Sequence, residues 1–288
     1  MSSSPPVSDK VIAAFRLHLQ QRSPINAFVP DLTGDKLSIS IIDNQLWKPT
    51  KAQHTFTIHE SLLDLNGTLL SMASQSGNQE PPYKLTEFSI RSFALYVNWL
   101  YTRRLNMTKL SDEEEKDRFE KLGEAFALGY CIQEMDFQIA IVDEILKFAQ
   151  ELDDFPGYEL TDIVYRSYDC EALRGLMVDL WAWKATARWD AVASVYCIAR
   201  DDIEYGDFER MFAVDLCKAL VRVCPVPGQE VSAMEKRPWE NAEKYYMNVL
   251  EQTWGRAGAR YQKNLTEAMG EGGHLRFAQL GRNDFCLP

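Results

Sequence analysis

The sequence predicts an α+β protein in which a small sheet capped by helices is followed by an all-α C-terminal region. Three observations carry this prediction. Leu37-Ser38-Ile39-Ser40-Ile41 and Thr55-Phe56-Thr57-Ile58 alternate apolar and hydroxyl residues, the period of a strand with one buried face. Ile90, Phe93, Ala94, Val97, Leu100 and Tyr101 recur at three and four residues, which makes a strongly amphipathic helix. Beyond Gly157 the strand signal disappears. There Leu173, Leu176, Met177, Leu180 and Trp181 form one helical stripe, and Phe208, Phe212, Leu216, Ala219 and Val223 form another.

The elements follow in order. Residues 1–10 are rich in Ser and Pro and are expected to be flexible. An amphipathic helix from Val11 to Gln20 places Ile12, Phe15 and Leu19 on one face, and Pro24, Pro30 and Gly34 end it in a loop. The two alternating strands come next, joined by a polar connection over 44–53 that is long for a tight hairpin. Leu62, Leu63 and Leu65, then Leu69, Leu70 and Met72, predict two short helical pieces interrupted at Asn66-Gly67, a pair that stops helices. Tyr83-Lys84-Leu85 is a candidate third strand ahead of the long helix.

Ser111-Asp112-Glu113-Glu114 reads as a capping box, in which the serine oxygen and the Glu114 carboxylate satisfy free N–H groups at a helix start. That helix buries Phe119, Leu122 and Phe126 and is expected to end near Gly129; the next buries Ile139, Val142, Leu146 and Ala149. Asp153-Asp154-Phe155-Pro156-Gly157 interrupts the pattern. The expected division is therefore 1–34 as a flexible N-terminus with a short helix, 35–150 as the mixed unit, and 151–288 as the helical region. Pro225 and Pro227 mark a linker, and a last helix spans Trp239 to Thr253.

Composition bounds the function. Hydrophobic residues make up 46% of 288 positions and charged residues 25%, enough apolar side chain to build a core and exclude wholesale disorder. Lys+Arg at 31 against Asp+Glu at 42 gives 31 − 42 = −11, a field that repels nucleic-acid phosphates, and no basic stripe overrides it. No direct nucleic-acid contact is expected. The start Met1-Ser2-Ser3-Ser4-Pro5-Pro6 lacks a secretory pattern and no apolar run reaches the ~20 residues that span a bilayer, so a soluble intracellular chain without membrane association is expected. The six cysteines form no Cys-x-x-Cys pair and read as reduced, mostly buried thiols.

The element order is strand, strand, two short helices, short strand, long helix and helical pair, and this order resembles the BTB/POZ fold. Specific segments carry the likeness. Thr55-Phe56-Thr57-Ile58-His59-Glu60-Ser61-Leu62-Leu63 is similar to the family's segment in which an apolar strand ends in histidine and opens a leucine-rich helix. Phe93-Ala94-Leu95-Tyr96-Val97-Asn98-Trp99-Leu100-Tyr101-Thr102 resembles the ending of its long helix, especially in fungal members. Leu122 through Cys131 and Met135 through Leu146 are similar to its closing helical pair, and Leu173 through Trp183 resembles a region many fungal members carry after the domain. Glu60 stands where the family usually has a basic residue, and Asp64 through Leu70 replaces a stretch usually rich in Ser, Pro and Phe. The resemblance implies homodimerisation or adaptor binding, in some relatives linking a target to a cullin-based ubiquitin ligase.

No catalytic, cofactor or metal site is expected. His18, His54, His59 and His274 are the only histidines, and His54 and His59, five apart in a strand, point to opposite faces. His59 at a strand-to-helix junction reads as a structural hydrogen-bonding residue. Gly270-Glu271-Gly272-Gly273 lacks a preceding strand and the lysine of a phosphate loop. Trp181 extends an apolar stripe and reads as core, whereas Trp183 and Trp189 stay open between core and surface. The expected partners are proteins: a second copy, a cullin, or both. The alternatives are a scaffold that only self-associates and an enzyme whose site is not recognisable. The residues expected to meet a partner are Ile12, Phe15 and Leu19, because an amphipathic helix ahead of the first strand must bury its face, on its own domain or across a two-fold interface.

Overall fold

Both alternating segments form strands, and they pair with each other. The computed structural model describes residues 7, 9–21, 30, 32, 34–43, 52–63, 69, 81–86, 88–105, 107, 117–151, 158–166, 170–187, 207–223 and 237–253. Among them the chain is mixed α+β, mostly helical with one three-stranded sheet. It divides into two compact units: Met1–Lys109 with Leu128–Gln138 and Leu250–Pro288, and Leu110–Ala127 with Ile139–Val249.

In the first unit α1 (Asp9–Gln21) precedes β1 (Lys36–Ile42), β2 (Gln53–His59), the single turn α2 (Glu60–Leu63), β3 (Tyr83–Leu85) and α3 (Ile90–Thr102). The strand order is β2-β1-β3. β1 and β2 are antiparallel, with Leu37 opposite Ile58 and Ile39 opposite Phe56; β3 runs parallel to β1, with Ile39 opposite Tyr83. Ile39, Ile41 and Ile58 lose all solvent exposure, as the alternation requires. The other face differs from expectation: Ser40 is fully buried too. Its hydroxyl accepts hydrogen bonds from Gln53 Nε2 at 2.8 Å and Thr55 Oγ1 at 3.3 Å, which offsets the cost of removing it from water.

α3 lies on β1 and β2. Ser89 caps it, accepting a bond from the Ser92 N–H at 3.0 Å, and its last turn closes on Arg103, whose N–H reaches the Trp99 carbonyl at 2.7 Å with φ 52°. Arg103 is not a glycine, and its guanidinium lies 4.1 Å from the centre of the Trp99 ring, a cation–π contact that offsets part of the left-handed strain. The buried side of this helix is Ser92, Phe93, Tyr96, Trp99 and Leu100. The sequence stripe is thus rotated: Ala94 is exposed, and Ile90, Val97 and Tyr101 are half-buried. Aromatic contacts set the rotation, with Phe93 against Phe56 at 5.1 Å and both Tyr96 and Trp99 against Phe137 at 5.1 and 5.3 Å.

Further along lie α4 (Arg118–Cys131), α5 (Met135–Glu151), α6 (Tyr158–Arg166), α7 (Glu171–Ala187) and α8 (Asp207–Val223), then a 3-10 turn (Pro238–Asn241) and a helix over 242–253. Phe119, Leu122 and Phe126 are buried, and so are Ile139, Val142, Leu146 and Ala149. α4 ends near Gly129 as expected, at Cys131, although the glycine itself lies within the helix. A β-carbon there would stand 3.0 Å from Gln138 Cγ and from Phe137 Cδ1, so this glycine permits a close crossing with α5. The stop falls at Gln133, with φ 58°, where the Glu134 N–H returns to the Gly129 carbonyl at 2.8 Å.

In the second unit α6, α7 and α8 pack on one another. Leu173, Leu176, Met177 and Leu180 are fully buried and Trp181 nearly so; Phe212, Leu216 and Ala219 form the matching stripe of α8. Arg174 of α7 donates to the last carbonyls of α6, Val164 at 3.2 Å and Tyr165 at 3.5 Å, where a cation also meets the negative end of the helix dipole. The predicted capping box at Ser111–Glu114, the Asn66-Gly67 break, the 153–157 segment, Trp189, the linker at Pro225 and Pro227, and the tail with Gly270 lie outside the described residues. No helix among the described residues is long and apolar enough to cross a membrane.

Candidate protein-interaction surface

α1 carries the residues expected to meet a partner, and its stripe is Val11, Phe15 and His18 rather than Ile12, Phe15 and Leu19. Phe15 has no exposure and Val11 only 2%. His18 turns toward the start of α5, its Nε2 lying 2.8 Å from the Asp136 carboxylate. Spacings of four and three residues from position 11 describe a helical face as well as spacings of three and four from position 12, and Phe15 belongs to both. The polar contact at His18 selects the first. Ile12 and Leu19 are left half-buried on one flank, and Leu17, on the opposite side, is 49% exposed.

The three residues therefore divide by role. Phe15 has no surface left for another molecule, and the open apolar flank of α1 is Ile12 with Leu19. The sequence missed Val11 and His18 because the histidine reads as polar until its acidic partner, 118 residues away, is placed beside it.

His59 ends β2 as a structural residue. Its backbone N–H and its Nδ1 meet the Tyr101 hydroxyl at 3.2 and 2.9 Å, which fastens the strand end to the last turn of α3. A hydrogen bond to nearby residues is what a strand-to-helix junction leads one to expect of His59; the partner is instead 42 residues away in the chain. Among the described residues no group of three or more His, Cys, Asp or Glu stands close enough to hold a metal ion.

The second unit holds a polar cluster that sequence order conceals. Asp179 of α7 accepts from Lys244 Nζ at 2.7 Å and from the Tyr245 hydroxyl at 3.1 Å, and Tyr246 bonds to Asp143. These contacts join the helix over 242–253 to α7 and α5, a positioning role. Trp183, left open by the sequence, is half-buried edge-on to Trp239, ring centres 6.1 Å apart, with Arg237 over its face. Cys170 is buried as expected, whereas Cys217 is exposed on α8 near Met211 and Val214, themselves 43% and 52% exposed.

Compared with known proteins, the chain matches no family model, no curated protein and no solved structure.

Proposed function

We propose that this chain is a non-enzymatic protein-interaction module of the BTB/POZ kind, which self-associates and acts as an adaptor. The observation that carries the reading is the order and pairing of the first unit's elements: an antiparallel strand pair, a helical turn opened by His59-Glu60, a short third strand, and a long amphipathic helix lying across the sheet. That order agrees with the family resemblance drawn from the residues. A small sheet whose apolar face is filled by aromatic side chains acts through its outer surfaces, and among the described residues the α1 flank and the outer edge of β2 are two that no other element covers. A cullin-based ubiquitin ligase is the partner class the resemblance names, and the adaptor role places the protein inside the cell.

The test uses the full chain. Sedimentation velocity over a hundredfold concentration range should give twice the chain mass of 33.0 kDa, and a purified cullin N-terminal region should co-sediment with it. A dimer that ignores the cullin would select the self-associating scaffold. A chain that stays monomeric and retains no cullin would overturn the proposal.

A further inference from the structure

We propose that β2 is the seam of self-association, pairing antiparallel with β2 of a second copy across a two-fold axis at Phe56. This inference rests on the self-association proposed above and names the surface responsible. Backbone parity identifies the open edge. Asp43 N–H bonds to the Ala52 carbonyl and Glu60 N–H to the Asp35 carbonyl. In the antiparallel register between them, the backbone groups of His54, Phe56 and Ile58 therefore turn toward β1. Those of Gln53, Thr55, Thr57 and His59 turn outward. His59 conforms, since its outward N–H is taken by the Tyr101 hydroxyl. The N–H and carbonyl groups of Thr55 and Thr57 have no partner among the described residues, and both residues are exposed.

Exposed edges of this kind are ordinarily blunted by charge, proline or a bulge. Gln-His-Thr-Phe-Thr-Ile-His has no Asp, Glu, Lys, Arg or Pro, and its register with β1 runs without interruption from Gln53 to His59. The occupant follows from symmetry. A two-fold contact needs a self-complementary patch, and Thr55-Phe56-Thr57 reads the same in both directions about Phe56. An axis there sets Thr55 opposite Thr57 of the second copy, in the hydrogen-bonded positions, and the two Phe56 rings opposite each other in the closer non-bonded position. Phe56 is half-buried against Phe93, which leaves part of its ring for such a pair. The charge balance agrees: with a net charge of −11, most faces repel an identical copy, and this strand carries no acidic residue.

The experiment measures self-association of the full chain by sedimentation velocity and amide hydrogen exchange of segment 53–59 at low and high concentration. Thr57→Pro removes an outward N–H without touching a bond to β1, and Thr55→Lys/Thr57→Lys places like charges across the axis. Each variant should keep the wild-type thermal transition and raise the dimer dissociation constant about tenfold or more, the proline by losing an N–H in both copies and the lysines by like-charge repulsion. Wild-type Thr55 and Thr57 amides should be protected only at concentrations where the dimer forms. Variants that dimerise as well as wild type would overturn this inference while leaving self-association standing. Protection that persists in the diluted monomer would assign the edge to another segment of the same chain and also overturn it. A wild-type chain that never dimerises would refute both readings.

Discussion

Replacing Phe15 by alanine separates a docked α1 from one that floats free for a partner. Phe15 is fully buried, Val11 retains 2% exposure, and His18 meets Asp136 through side chains 19% and 29% exposed. A partly solvated pair of that kind contributes under ~1 kcal/mol. A buried phenylalanine truncated to alanine costs about 3–5 kcal/mol, the transfer of the ring plus the cavity left behind. The expected loss is therefore at least about 3 kcal/mol. Hydrophobic packing thus outweighs the polar contact in fixing α1. Urea unfolding followed by circular dichroism should show a midpoint lower by about 1–2 M at an unchanged slope. Leu17→Asp, on the far side of the helix, should stay within ~0.5 kcal/mol of wild type. A Phe15→Ala loss below ~1 kcal/mol would refute the docked helix and return its whole face to a partner.

Tyr101→Phe removes the hydroxyl that meets both the His59 N–H and Nδ1, and should cost about 1–3 kcal/mol in chemical denaturation with no change of fold by circular dichroism. Gln133→Gly replaces a side chain held at φ 58° and should raise stability by about 0.5–1 kcal/mol, since relief of left-handed strain exceeds the added freedom of the unfolded chain. In the second unit Trp181→Ala should cost about 3–5 kcal/mol, whereas Trp183→Ala, at a half-buried ring pair, should cost nearer 1, both read from thermal or urea unfolding.

The legible parts of the fold were those in which one period dominates. Alternation placed β1 and β2 because a half-buried strand leaves a mark every second residue, and Leu173 through Trp181 placed α7 because its stripe is unbroken. Two signals misled where chemistry beyond hydrophobicity chose between equivalent faces. On α3, Ala94 and Val97 are apolar enough to be core, yet the large rings of Tyr96 and Trp99 bury more area and turn the helix toward Phe137. On α1, the polar contact of His18 with Asp136 selects the stripe through Val11. Gly129 illustrates a different ambiguity: lack of a side chain serves a helix end and a helix crossing equally well, and only the approach of Phe137 and Gln138 distinguishes them. The anchors His59–Tyr101 and Asp179–Lys244 join residues 42 and 65 positions apart, and no spacing rule reaches that far.

The candidate interface adds a constraint that area alone supplies. Stable dimers bury roughly 800 Å² on each partner, and two half-buried side chains, Ile12 and Leu19, fall well short of that. Self-association through α1 alone is therefore too weak, and the β2 edge offers what the flank lacks, a row of backbone donors and acceptors free of charge. Because each copy carries −11, bringing two together raises their repulsion, while the seam itself holds no ion pair to weaken. Salt screens the repulsion over a Debye length that shrinks from roughly 14 Å at 0.05 M to about 6 Å at 0.3 M. Dimerisation measured by sedimentation should accordingly tighten across that range. Loosening would mean that the copies are held by opposite charges, and the partner-facing surface would then have to be sought away from β2.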